Sequence, residues 1–259
     1  MTDADPSPVA IRNAEGKAPL VLVCDHASRA LPAEYAGLGL DETELRRHIA
    51  WDIGAADVAT RLSGLIDAPV VLSGASRLLV DCNRATDDPT FICQVSDGTV
   101  VPGNRGIDGT EVARRIARFH RPYHEAIAAV VGAKRAKVAA PALFSIHSFT
   151  PVMRSFERPW HVGILWDKDA RLAKPLLAML AEDPAITVGD NEPYSGRSHV
   201  GYTMMRHGAE AGLPHVLIEL RQDLVDTHRG AELWAERLAG VITRILARFG
   251  PFQLERHWP

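Results

Sequence analysis

The stretch Leu20–Pro32, LVLVCDHASRALP, decides the fold. Five strand-forming apolar residues run without alternation into an acid, a histidine, a small residue, a serine and an arginine. An unbroken apolar run of this length predicts a strand buried on both faces, the kind found in parallel sheets covered by helices. Such a strand delivers Asp25 and His26 to the carboxyl edge of a sheet, which is where ligands bind in open α/β folds.

Outward from that strand the chain alternates. Val70–Leu72, Leu78–Cys82, Ala142–Ile146, Val162–Trp166 and His215–Leu220 are further strand candidates. Helices are expected over Gly54–Ile66, where Val58, Leu62 and Ile66 share a face, and over Thr110–Lys137, bent or divided at Pro122. Lys168–Ala181, Thr203–Ala211 and Ala231–Phe249 complete the helical set, and Asp41-Glu42-Thr43-Glu44 resembles an acidic helix start. Residues 85–109 are rich in Gly, Pro and Asp and suit a long loop with a small hairpin. Residues 1–17 are expected as a flexible lead-in to one α/β domain over 18–259, with a mostly parallel or mixed central sheet covered on both faces.

Composition excludes several function classes. With 46% hydrophobic and 24% charged residues the chain is an ordinary globular protein. A net charge of -3 and a pI near 6.4 supply no basic field, so nucleic acid is not an expected partner. No apolar run has the length of a membrane span, and the polar, acidic start lacks a signal-peptide plan, so a cytoplasmic protein without a membrane partner is expected. Three cysteines without CxxC spacing support neither a disulfide framework nor a thiolate zinc site. Neither GxSxG, GxGxxG nor GxxxxGK[ST] occurs, which removes the nucleophile elbow and the nucleotide loops.

Four apolar runs end in polar residues: Asp25-His26, Asp81–Arg84, His147-Ser148 and Glu219–Asp223. A catalytic zinc site needs three protein ligands and an open position. His26 and His147 are the nitrogen candidates, with Asp52 of HIAWDIGA first and Asp25 second for the oxygen ligand. Each histidine taken alone can equally be a loop cap or a hydrogen-bonded near-core ring. Glu219, flanked by apolar residues in VLIEL, reads either as a buried general base or as a salt-bridge partner of Arg221 or another arginine. Asn83-Arg84 sets an amide beside a fixed cation and suits an anionic substrate, against a surface pair with Asp87 or Asp88. Arg77, Arg197 and Arg221 are further candidates for that task. Tyr194 lies in the polar loop GDNEPYSGRSH, which together with 85–109 is expected to line the pocket. His120 and His124 of FHRPYH share a helix face, but the intervening proline and the lack of HExxH favour packing or supporting roles over ligation.

Taken in order from about residue 20 to 225, CDHASRALP, HIAWDIGA, SRLLVDCNR, HRPYH, SIHSFTP, NEPYSGR and HGAEAGLPHVLIELRQDL resemble the N-formylglutamate amidohydrolase family. The resemblance implies a phosphorylase/hydrolase-like, zinc exopeptidase-like sheet and hydrolysis of an N-formyl or N-acyl amino acid to the free amino acid and a carboxylate. It implies one Zn2+ on His26 and His147, Glu219 as general base, an arginine such as Arg197 at the oxyanion, and Asn83-Arg84 on the substrate carboxylate. Aspartoacylase-like relatives carry a glutamate ligand three residues after the first histidine, where this chain has Arg29. That departure leaves Asp52 as the carboxylate ligand and gives Asp25 an orienting role. The rival readings are a deacylase for another N-acyl amino acid or peptide, and a metal-free anion-binding relative.

Overall fold

The computed structural model describes residues 6–199 and 201–257. The strands β1 (Val9–Arg12), β2 (Leu20–Cys24), β3 (Val70–Ser73), β4 (Ala142–Phe149), β5 (Val162–Leu165), β6 (Val188–Asp190) and β7 (His215–Arg221) form one sheet in the order β1-β3-β2-β4-β7-β5-β6. The four central strands β3, β2, β4 and β7 run parallel. β1 joins antiparallel at one edge, and β5 runs antiparallel to β7 on the other side, so the sheet is mixed.

Helices cover it. α1 (Ala55–Leu65) packs on β2, β3 and β4, and the long α4 (His228–Phe249) packs on α1. α2 (Arg121–Arg135) packs against β1, β2 and β3, and α3 (Ala173–Leu180) lies against β5, β6 and α4. Every residue of β2 and β4 is buried, as unbroken apolar runs demand. Truncating a fully buried leucine such as Leu22 costs about 2–5 kcal/mol, so the strand that carries Asp25-His26 to the sheet edge is held firmly. Among the described residues, no helix is long and apolar enough to cross a membrane.

Several expectations change. Residues 9–12 of the supposed lead-in are the edge strand β1, paired with residues 70–73. Leu78–Cys82 is not a strand. Ser76 folds back there, its hydroxyl accepting the Leu78 N–H and donating to the Ala50 carbonyl. Leu78, Leu79 and Val80 are buried in a separate apolar cluster with Leu38, Phe91, Val101 and Phe119, so their hydrophobicity serves packing and not a ladder. The helix expected over Thr110–Lys137 is indeed divided next to Pro122: a π turn at Ile116–His120 separates Gly109–Arg115 from α2, and Pro122 sits in the first turn of α2, where its missing N–H is tolerated. The helix expected from Lys168 starts at Ala173, because the Asp169 carboxylate captures the Arg171 backbone and guanidinium in a turn. The one expected over Thr203–Ala211 is a short helical turn, Tyr202–Met204, continued by a π turn over Met205–Ala209. The hairpin within 85–109 forms at Val95–Ser96 and Thr99–Val100, and Asp41 caps the short helix Glu42–Leu45 through the Glu44 N–H.

Candidate active site

Three parallel strands and one loop bring the polar strand ends together. His26 follows β2, His147 and Ser145 project from one face of β4, and Glu219 on β7 is the register partner of His147. Asp52 arrives from the loop before α1, pinned where its backbone N–H donates to the His26 carbonyl. His26, Asp52, His147 and Glu219 are each no more than 7% exposed.

The two imidazoles meet edge to face, with centroids 5.0 Å apart. Their Nδ1 atoms face the same Asp52 oxygen, at 3.2 Å from His26 and 2.7 Å from His147. Their Nε2 atoms point away, to Asp81 at 2.7 Å and to Asp25 at 2.9 Å. A carboxylate only accepts, so the Nε2 atoms donate to Asp81 and Asp25, and by the same rule the Nδ1 atoms donate to Asp52, each Nδ1 proton standing where a cation would take its place. Donor atoms of His26, Asp52 and His147 lie within 4.8 Å of one another and can hold a metal ion. Two imidazole nitrogens and a carboxylate oxygen, with each histidine braced by a carboxylate behind it, fit the donor chemistry of a catalytic zinc site.

The supports are themselves fixed. Asp25 accepts from Tyr123 Oη at 3.0 Å, Thr203 Oγ1 at 2.5 Å, Ser145 Oγ at 2.9 Å and His147. Arg77 donates to both oxygens' owners on the other side, reaching Asp81 at 2.7 Å and Asp52 at 3.3 Å. His26, Asp52, Arg77 and Asp81 therefore close into a cycle in which each side chain contacts the next. Burial disfavours charge at every member of the centre. At Asp25 it is outweighed by the hydrogen bond and charge of His147 and by His26, which hold the carboxyl below its ordinary range. At His147 it is outweighed by Asp25 and Asp52, which raise the ring. Glu219 is different. Burial pushes it up to about 7 against the pull of His147, Asp52 adds to the rise, and its Oε2 has no hydrogen-bond partner among the described residues.

These groups floor a cleft of about 490 Å³ that also takes in Asn83, Arg84, Asp88, Thr90, Tyr194, Leu165 and Leu217. Asn83 presents its amide NH2, because its Oδ1 accepts the Thr203 N–H at 3.2 Å. Gly201, at φ 88°, makes that approach possible, since a Cβ there would lie 2.6 Å from the Asn83 amide oxygen. Among the described residues the Arg84 guanidinium has no hydrogen bond or ion pair, leaving it available to an anion in the cleft. Tyr194 lines the cleft with its hydroxyl 3.2 Å from buried Arg158.

A family model for N-formylglutamate amidohydrolase matches residues 18–225. The chain belongs to the N-formylglutamate amidohydrolase family. The crystal structure of gene product Atu2144 from Agrobacterium tumefaciens is similar to it at 35% identity, over 94% of this chain and 96% of that one, with a TM-score of 0.89. An N-formylglutamate amidohydrolase from Ralstonia eutropha JMP134 shares the fold at 22% identity, over 94% of this chain and 98% of that one, with a TM-score of 0.67. No curated protein matches the chain. Family and fold together make it an N-formylglutamate amidohydrolase-like amide hydrolase.

Not every expected residue reaches this cleft. Arg77 lines it, but its guanidinium is spent on Asp52 and Asp81, so it braces the centre and is not free to grip a substrate. Arg197 is exposed, 5.9 Å over the Trp166 ring, and is not among the lining residues. Arg221 lies one pleat beyond Glu219 and is paired with Asp223 at 2.8 Å. Asp81 is marked in the sequence as the end of LLVD but carries no assigned role there; the structure makes it the brace of His26. Sequence reasoning missed Tyr123, Thr203 and Arg158, whose contacts with Asp25 and Tyr194 join residues more than 30 positions apart in the chain and left no local mark.

Proposed function

We propose that the protein is a zinc-dependent amidohydrolase that cleaves N-formyl-L-glutamate, or a closely similar N-acyl amino acid, to the free amino acid and formate or another carboxylate. One observation carries the reading: Glu219, a buried carboxylate whose Oε2 has no hydrogen-bond partner among the described residues, stands in register beside His147 of the His26–Asp52–His147 group and opens onto the cleft. A zinc ion held by those three residues would supply Lewis acidity toward the amide carbonyl and the water. Glu219 takes a proton from the attacking water as its oxygen bonds to the acyl carbon. The same carboxyl returns that proton to the departing nitrogen as the C–N bond breaks, which a group titrating near neutrality does well. Asn83 and Arg84 hold the substrate carboxylate, so that binding supplies orientation. Leu165 and Leu217 give the cleft an apolar wall, and Tyr194 flanks the acyl end. With three free cysteines, the setting proposed is cytoplasmic amino-acid catabolism.

Metal content measured alongside formate release tests this. Wild type is expected to hold one zinc per chain and to release formate. Glu219→Gln should keep the zinc and lose about 10²–10⁴-fold in turnover. His147→Ala should lose both. Wild-type-like turnover by Glu219→Gln would overturn the assignment.

A further inference from the structure

The HRPYH motif has no place in the chemistry above, yet both of its histidines reach the strip of backbone that presents Asn83 and Arg84. His124 Nε2 lies 2.9 Å from the Cys82 carbonyl and His120 Nε2 lies 3.3 Å from the Arg84 carbonyl. Between them the Asn83 carbonyl accepts the Tyr202 N–H at 3.2 Å. Three successive carbonyls are thus held by three donors, from the π turn Ile116–His120, from α2 and from the helical turn Tyr202–Met204. We propose that His120 and His124 are positioning residues for substrate binding, setting the aim of Asn83 and Arg84 through the backbone carbonyls of Cys82 and Arg84. The inference rests on the reading that Asn83 and Arg84 hold the substrate carboxylate.

The chemistry of the rings agrees with this role. A carbonyl only accepts, so both Nε2 atoms carry protons. His124 Nδ1 is then an acceptor, and it takes the proton of His207 Nε2 at 3.0 Å, with the two rings stacked 5.2 Å apart. All three histidines are neutral donors with assigned tautomers, and burial, with the neighbouring rings or Arg206 adding to it, pushes His124 down to about 3 and His207 to about 4. His120 and His124 pack on each other and on Tyr202, which fixes their direction.

Arg84 needs such a brace. Its side chain is long, and among the described residues no partner holds the guanidinium, so its direction is inherited from the backbone. A displacement of about 1 Å at a positioning group is enough to lower reactivity sharply. The other end of the same turn holds Asp81, whose Oδ1 accepts both the Asn83 N–H at 2.9 Å and His26 Nε2, so the turn is anchored at the centre on one side and at the histidine pair on the other.

The test compares zinc-loaded wild type, His120→Leu, His120→Gln and Arg84→Met on N-formyl-L-glutamate and on its α-carboxamide. His120→Leu should raise KM for the carboxylate about tenfold, equivalent to about 1.4 kcal/mol, with kcat and zinc content near wild type. His120→Gln keeps an N–H donor at similar reach and should restore KM to within about threefold of wild type. On the carboxamide, which Arg84 cannot grip as an anion, wild type and His120→Leu should have the same KM. A fall in kcat at constant KM, failure of glutamine to rescue, or an equal effect on the carboxamide would overturn the proposal. Arg84→Met separates the two layers of argument. If it raises KM while His120→Leu does not, the clamp alone is wrong; if it leaves KM unchanged, the carboxylate reading fails and the clamp with it. Should His120→Leu not fold, imidazole nitrogen NMR of the wild type decides: Nε2–H tautomers at both histidines support the proposal, and an Nδ1–H tautomer at either overturns it.

Discussion

Two groups of histidines stand on either side of the turn at residues 81–84, and they behave in opposite ways. His26 and His147 face carboxylates through both ring nitrogens, and those charges raise both rings despite full burial. His124 and His207 face a carbonyl and each other, and burial drives both rings down. Residue type and depth are the same; the partners differ. A carboxylate partner makes a buried imidazole a strong electron donor suited to a cation, whereas a carbonyl partner makes it a neutral donor suited to holding backbone.

The contrast breaks most severely at the carboxylate behind a ring. Asp81→Asn removes the charge that braces His26 and one of the two partners of Arg77, and zinc affinity should fall about 10–100-fold, read by competition with a chelator. Retained affinity would mean that His26 is oriented by something other than Asp81.

The histidines on the other side should announce themselves in stability. A histidine whose folded pKa lies below its unfolded value of 6.5 binds fewer protons folded than unfolded, so its unfavourable contribution is absent above that pH and grows as pH falls toward the folded value. For His124, pushed down to about 3, this amounts to about 2 kcal/mol lost between pH 7 and pH 5. Urea unfolding at the two pH values should therefore show His124→Gln losing about 2 kcal/mol less than wild type over that interval. An identical loss in both would place His124 outside the neutral class.

The smallest effect sharpens the comparison by lying outside it. Arg221 is paired with Asp223 on the strand that carries Glu219 but is not among the cleft-lining residues. Arg221→Met should change stability by no more than about 1 kcal/mol and leave KM for N-formyl-L-glutamate unchanged. A raised KM would return Arg221 to the substrate site.

Much of this was legible in the chain because strand ends are local events. LVLVC stops at Asp25-His26, ALFSI runs into His147, and VLI carries Glu219, so the apolar pattern alone marked the edge where the polar groups gather. The arginines were not legible. Arg77 reads as a free cation four residues before an acid, and nothing local reveals that Asp52 lies on its other side. The run LLV before Asp81 has strand composition, but composition cannot tell a ladder from a satellite cluster when both bury leucine and valine. His120 and His124 read as packing or supporting residues, but what they support was not legible for a similar reason, since their acceptors are main-chain carbonyls and any residue has those.

The cycle of His26, Asp52, Arg77 and Asp81 has no free end. Each member restrains two others, so a substitution at one position is transmitted in both directions until it returns to its starting point. Such a set cannot be altered piecemeal, because the effects of neighbouring changes do not add. For anyone seeking to alter the donor set that this centre could offer a metal ion, the smallest unit of design is the whole ring of side chains and not a single donor.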